Sequence, residues 1–244
     1  MRVLTLVSAI FAALLASNSA ARCLSHSFEV WPPSRATVPT NFRIVISMSG
    51  TAQTLADSLS VRKPRLVAKG HTVSLSLVEV SHGAVNVAQV VLRPKDELRP
   101  DTVYMLKLDN RSHPKPNEPD LPVLSWRTGR AIDGEAPRWS TAPKTLESQY
   151  HEYGCGPESQ VEVEIGVADA NDVLIQAEVR NPANGSVQRF LVRPKDGRLL
   201  VGHGMCTGPF QLDREASYQV GLTAVDTSGN TAAAPGEPLN ILGP

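Results

Sequence analysis

Two histidines and two cysteines are the best chemical candidates in this 244-residue chain: His151-x-x-x-Cys155 and His203-x-x-Cys206. Two imidazoles and two thiolates could close a tetrahedral zinc site. The competing reading is a disulfide between Cys155 and Cys206, which an oxidising compartment favours. The disulfide is preferred, because zinc-finger spacings usually pair Cys with Cys and His with His. It would close a loop of about fifty residues and contribute ~4 kcal/mol in the chain-entropy treatment. Cys23 is then left over, unpaired or joined to another molecule.

Other reactive patterns are weaker. The chain holds no G-x-S-x-G, H-E-x-x-H, P-loop or G-x-G-x-x-G motif. Glu162 and Glu164 stand two apart, which on a strand places both on one solvated face rather than in a paired-carboxylate site. Asp226 and Asn230 could contribute to a calcium site, but a turn is the preferred reading, since calcium takes six to eight oxygens. His26, His71, His82 and His113 are scattered through loop-like segments and read as surface residues. Trp31, Trp126 and Trp139 read as core or linker anchors.

The elements that must position these residues are strands. Phe28-Glu29-Val30-Trp31 reads as a first edge strand ended by Pro32-Pro33. Phe42, Ile44, Ile46 and Met48 alternate with polar positions. A turn at Ser49-Gly50 is followed by Leu59 to Arg62 and Thr72 to Val80 as further strands. Ser81-His82-Gly83 reads as a hairpin turn, and Val85 to Leu92 returns. A polar stretch, Asn110 to Asp120, precedes a strand over Leu121 to Thr128. Farther on, Val161, Val163, Ile165 and Val167 alternate with Glu162 and Glu164, and Val173, Ile175, Ala177 and Val179 repeat the pattern. Asn181 to Gly185 is a strong turn signal before Val187 to Val192.

One element occurs twice. Leu98 stands six residues ahead of Tyr104, and Leu212 six ahead of Tyr218, each Tyr opening an alternating apolar run. In sandwiches of immunoglobulin type such a Tyr turns its hydroxyl onto the backbone just upstream and pins a corner between sheets. Two corners predict two sandwiches. Arg93-Pro94-Lys95-Asp96 also recurs, as Arg193 to Asp196, but out of register with the corners, and reads as chance reuse of an exposed turn.

Pro39 before Phe42 to Met48, then Val91-Leu92-Arg93-Pro94, Leu98 to Tyr104 and the closing Trp126-Arg127-Thr128-Gly129 resemble the bacterial Ig-like domains of surface-layer and other exported proteins. These commonly carry an L-x-P-x-T-x-Y element and a last strand ending in Thr-Gly. The resemblance covers residues 28–129, and Met48-Ser49-Gly50 departs from it where the family often has Phe-Ser-Glu. Asp226 to Asn230 is similar to the D-x-x-G-N hairpin of such repeats. The N-terminal segment also has a passing similarity to periplasmic copper carriers, without the His expected at their mature N-terminus.

The opening supplies the compartment. Met1-Arg2, an apolar run from Val3 to Ala16, and the small and polar Ser17 to Ala21 are ordered like a secretory signal peptide, shorter than the ~20 residues of a membrane span. Arg22 before Cys23 argues against lipidation. The expected organisation is a signal peptide over 1–21, a first Ig-like domain over 22–129, a linker over 130–137 and a second domain over 138–244: all-β, two tandem sandwiches, exported to the periplasm, the cell surface or the medium.

Lys and Arg number 24 against 24 Asp and Glu. With no basic block, neither nucleic acid nor an anionic membrane is a favoured partner. The functional expectation is a non-catalytic binding or spacer module of the envelope or extracellular space, with a protein or surface polysaccharide as partner and no cofactor. Two alternatives stay open: an enzyme or enzyme inhibitor whose site forms only in the tertiary structure, and a copper or zinc carrier.

Overall fold

The computed structural model describes residues 25–109 and 119–244. The signal-peptide reading and Cys23 lie outside the described residues, as does His113.

The chain is all-β, as the alternating patterns predict, and gathers around two separate hydrophobic cores. In the first half, β1 (Ser27–Trp31), β2 (Thr37–Val38), β3 (Ile44–Ser49), β4 (Arg65–Ala68), β5 (His71–His82), β6 (Val87–Pro94), β7 (Val103–Lys107) and β8 (Ser125–Thr128) form one hydrogen-bonded path, β1-β3-β6-β5-β4-β7-β8-β2. The path folds over at β5. Its first residues pair with β4, its later ones with β6, and the register slips between Leu77 and Glu79. The inward sets Ile44, Ile46 and Met48 of β3 and Ala88, Val90 and Leu92 of β6 meet Leu66, Tyr104 and Trp126 across the core. Trp126 packs against Phe42 and donates its indole N–H to the Pro32 carbonyl at 2.9 Å.

Between β3 and β4 the expected turn and strand are replaced by a 3₁₀ turn (Gly50–Thr54) running into a one-turn helix, α1 (Leu55–Ser58). Leu55, Ala56 and Leu59 are buried under the end of the sandwich. Spaced one and four apart, they share a helical face, whereas Leu59 read alone suggests a strand. The last strand is also shorter than expected, beginning at Ser125 rather than Leu121.

In the second half, β9 (Arg138–Tyr153), β10 (Gly156–Ala168) and β13 (Arg198–His203) form a sheet ordered β13-β10-β9. Facing it, β11 (Val173–Arg180), β12 (Val187–Val192) and β14 (Ser217–Asp226) are ordered β12-β11-β14. β15 (Thr231–Ala233) and β16 (Leu239–Leu242) pair with successive parts of β14. Val161, Val163 and Ile165 face Ile175, Ala177 and Val179 through the core, and Glu162 and Glu164 point outward. Glu162 is paired there with Arg198 at 2.5 Å.

Both recurrent tyrosines are buried, and their hydroxyls accept backbone N–H groups five residues upstream: Arg99 to Tyr104 at 3.0 Å, Asp213 to Tyr218 at 2.9 Å. Tyr104 also meets His71 Nδ1 at 2.6 Å, so His71 is tied to the first core rather than standing apart on the surface.

Candidate functional site

The four residues of the zinc alternative are not brought together. No three of His151, Cys155, His203 and Cys206 place ligand atoms within 4.8 Å of one another. Strand register explains this. Tyr150 and His203 both lie opposite Ser159, so His203 shares the inner face with Ser159. His151, one residue on from Tyr150, faces the other side of the sheet. His203 is buried and donates Nδ1–H to the Gly204 carbonyl at 3.0 Å.

The Cys155–Cys206 bridge is not formed either. Cys155 lies on the exposed turn between β9 and β10 and is not bridged to Cys206. The expected pairing rests on compartment and spacing, and neither encodes which way a turn presents its thiol.

Polar side chains do converge where the two halves meet. Asn41, just before β3, lies beside the 130–137 segment: its Nδ2 donates to the Asp133 carbonyl at 2.8 Å, and its Oδ1 accepts the Asp133 N–H at 3.0 Å. Ser228, in the turn after β14, donates to the same Oδ1 at 3.1 Å. Asn230 donates to the Asp133 carbonyl at 3.2 Å and to Asp226 Oδ2 at 2.7 Å. Asn171 donates to Asp133 Oδ2 at 2.7 Å. The segment joining the halves is therefore held by side chains of both.

Within this junction Asp133, Asp169 and Asp226 present carboxylate oxygens within 4.8 Å of one another. Asp226 is fully buried. Burial pushes its carboxyl above the ordinary carboxylate range, against hydrogen bonds from Asn230 that pull it down. A hard cation such as calcium would need six to eight oxygens. Here Asn171 and Asn230 turn their NH₂ groups to the carboxylates, bracing them instead of offering amide oxygens. The loop is a hydrogen-bonded turn: Asp226 Oδ1 accepts the N–H groups of Ser228 and Asn230 at 2.9 and 2.8 Å. Arg43 lies across Gly229, and its backbone N–H donates to the Thr227 carbonyl at 2.7 Å. Burial and the neighbouring Arg93 lower its pKa.

Two more contacts complete the junction. Gln89 of β6 reads both backbone groups of Leu191 on the edge strand β12, donating to its carbonyl at 2.9 Å and accepting its N–H at 3.1 Å. Beside it, Trp31, Val45, Val91 and Leu174 form a small buried apolar patch. The turn after β5 docks on the loop after β13, with Val85 and Gly208 exchanging N–H···O bonds of 3.0 and 2.9 Å.

A trough of about 510 Å³ lies on the second half, over the β11–β14 pair. Gln176, Glu178, Gly221 and Thr223 lie on the face opposite to the core-directed Ile175, Ala177, Val220 and Leu222. Register sets Glu178 opposite both Gly221 and Arg189. Glu178 is held by Arg189 at 2.6 Å and Arg180 at 3.2 Å, which keeps its carboxyl below the usual range. One wall is the Ala233–Leu239 segment, where β14 changes partner: Val220 pairs with Leu239, but Thr223 with Ala233. Gly221 leaves the floor open. A Cβ there would meet nothing within 4 Å, and its φ is not in the left-handed region. Glycine inside a strand is unfavourable by roughly 0.5–1 kcal/mol against Ala; neither backbone geometry nor internal packing requires it here.

No family model matches the chain, and no curated protein matches it. Solved structures do. A type I pullulanase from Bacillus subtilis in complex with maltose is 13% identical, over 86% of this chain and 24% of that one, with a TM-score of 0.24. Dimeric latent PorU from Porphyromonas gingivalis is 10% identical, over 88% and 20%, at 0.32. The tandem Ig repeats of Dlar are 13% identical, over 89% and 98%, at 0.26. The chain thus spans about a quarter of the pullulanase. At these identities and scores the likenesses carry no argument about activity.

Proposed function

We propose that this protein is an exported, non-catalytic binding or spacer module built from two tandem Ig-like sandwiches. Strand order supports the architecture. In each half, the first strand, the next long strand and a later one form one sheet: β1-β3-β6, then β9-β10-β13. The intervening strands pair with the strand that the tyrosine opens: β4-β7, then β11-β14. This is the two-layer order of Ig-type sandwiches.

The observation that carries the binding role is the open floor at Gly221. An outward glycine on a strand paired on both sides, under a trough of about 510 Å³, marks a place where another molecule can approach the backbone closely. The charged and amide groups of Glu178, Arg189 and Gln176 would orient a protein or surface-polysaccharide partner, while the Ala- and Pro-rich wall supplies apolar contact. The test compares the protein with its Gly221→Phe variant on polysaccharide and peptide arrays. Signals that the substitution removes, with the denaturation midpoint not lowered, support the reading. Binding indifferent to the substitution refutes the trough as its site.

A further inference from the structure

Two of the three tryptophan indoles donate to backbone carbonyls: Trp126 to Pro32 and Trp139 to Ala232, each at 2.9 Å. Trp31 is 3% exposed, and its indole N–H is shut off from solvent with no acceptor among the described residues. Strand register shows its setting. Trp31, Val45 and Val91 form one row across β1, β3 and β6, and Glu29, Ser47 and Gln89 form the adjoining row on the same face. Between this face and the edge strand β12 is a recess of about 20 Å³, lined by Trp31, Ser47, Leu191 and Arg193 among others. It holds one water-sized group. The recess adjoins a groove of about 500 Å³, with which it shares Glu29, Ser47, Leu191 and Arg193.

The polar groups left over here are mostly donors. Gln89 is spent, with Nε2 on Ser47 Oγ at 2.8 Å and the Leu191 carbonyl at 2.9 Å, and Oε1 on the Leu191 N–H at 3.1 Å. Ser47 Oγ accepts from Gln89 and so keeps its own O–H to give. Arg193 turns one nitrogen to Asp172 at 2.6 Å and retains further N–H groups. The Lys195 ammonium and the Glu29 carboxylate also line the groove, and neither has a side-chain partner among the described residues. The remaining lining is largely apolar, from Val87, Phe190, Val192, Pro194 and Pro209.

We infer that this groove binds the free C-terminus of a peptide ending in an apolar residue. One carboxylate oxygen enters the recess and accepts the Trp31 N–H, while the other meets Ser47 and Arg193. Lys195 adds a second positive charge. The last side chain lies on the apolar lining, and a peptide N–H faces Glu29. Charge complementarity selects this occupant, because a fatty acid offers the same carboxylate and apolar body but nothing for Glu29 to accept. β1 and β3 belong to the first half and β12 to the second, so the peptide bridges the two. The groove shares no lining residue with the trough over Gly221, and the inference rests on neither the trough nor export.

The test follows the indole N–H resonances of the full ¹⁵N-labelled chain as the tripeptide Ala-Ala-Leu is added, with Trp31 assigned from Trp31→Phe. The Trp31 resonance should shift saturably while those of Trp126 and Trp139 stay in place. The C-terminal amide of the same peptide, and the Arg193→Gln variant, should each bind about tenfold or more weakly. Octanoate should bind less tightly than the peptide, and Glu29→Gln should weaken the peptide but not octanoate. Gly221→Phe should bind as the natural protein does. Should Trp31→Phe fail to fold, triple-resonance spectra supply the assignment. A Trp31 resonance indifferent to millimolar peptide would overturn the site, as would a water signal at its N–H that peptide does not displace. Equal binding of the amide would overturn the carboxylate, and octanoate binding as tightly as the peptide would overturn the occupant. Loss of binding in Gly221→Phe would move the peptide to the trough and overturn the groove.

Discussion

Replacing Tyr104 and Tyr218 by Phe removes one hydroxyl from each core, and the two losses should differ. The Tyr104 hydroxyl is fully buried and has two partners: the Arg99 N–H at 3.0 Å and His71 Nδ1 at 2.6 Å. The oxygen accepts the Arg99 N–H, and between the hydroxyl and His71 Nδ1 either group can donate. Tyr104→Phe strands a backbone donor and a ring nitrogen together, at about 1 kcal/mol each, so about 2 kcal/mol in all. Tyr218 has the Asp213 N–H at 2.9 Å as its recorded partner, and Tyr218→Phe should cost about 1 kcal/mol. For a unit of ~100 residues these correspond to midpoint shifts on the order of 10 °C and 5 °C. Tryptophan fluorescence separates the responses, since Trp126 sits in the first core and Trp139 packs on the second. A double-mutant cycle of Tyr104→Phe with His71→Ala should return a coupling of about 0.5–3 kcal/mol. A cycle near zero, or a larger loss from Tyr218→Phe, would refute the two-partner account.

Gln89→Ala leaves the N–H and carbonyl of Leu191 without their side-chain partner; calorimetry should show the two halves unfolding less cooperatively, by about 2 kcal/mol of lost coupling, and a single unchanged transition would count against it. Gly221→Thr should stabilise the second half by roughly 0.5–1 kcal/mol in urea denaturation, because Thr suits a strand and meets open space. Burial raises the folded-state pKa of Asp226 above its ordinary 3.8. Between those two values the folded state holds the proton more tightly than the unfolded chain does, so this group's contribution grows as pH falls through the raised value and levels off below the ordinary one. Midpoints of the natural protein minus those of Asp226→Asn, measured across that window, should rise toward acid; a flat difference would remove Asp226 as the cause.

Periodicity was legible where a strand has one wet and one dry face. Val161 to Ile165 and Val173 to Val179 show it, and turn chemistry marked Asn181 to Gly185, where Gly185 takes φ 71°. The strand β9 escaped notice for two physical reasons. It lies at the edge of its sheet and is largely exposed, and its pairing with β10 slips at three places, so no run of two-residue alternation survives. Trp139, read only as an anchor, belongs to this strand and donates to the Ala232 carbonyl at 2.9 Å. At the junction, the local D-x-x-G-N turn could be read from Asp226 to Asn230, but its partners Asn41 and Asp133 stand far away in sequence. The open floor of the trough had only an isolated glycine as its signal, and a single Gly221 in an apolar run reads as well for a bulge.

The junction reads as a specified orientation rather than an incidental contact between two sandwiches. Apolar burial is nondirectional, and the Trp31, Val45, Val91 and Leu174 patch would tolerate many rotations. Directional hydrogen bonds do not: Gln89 must meet both groups of Leu191, and Asn41 must meet Asp133 and Ser228 together. Glycine sets the distance of approach. A Cβ on Gly83 would lie 2.9 Å from Pro209 Cα, one on Gly208 2.3 Å from His203 Cα, and one on Gly229 1.9 Å from the Arg43 guanidinium carbon. Two of these three glycines meet groups across the junction, so side chains there would push the halves apart. The trough over Gly221 is therefore presented at a fixed angle to the first core, the property a spacer or binding module needs to place a partner.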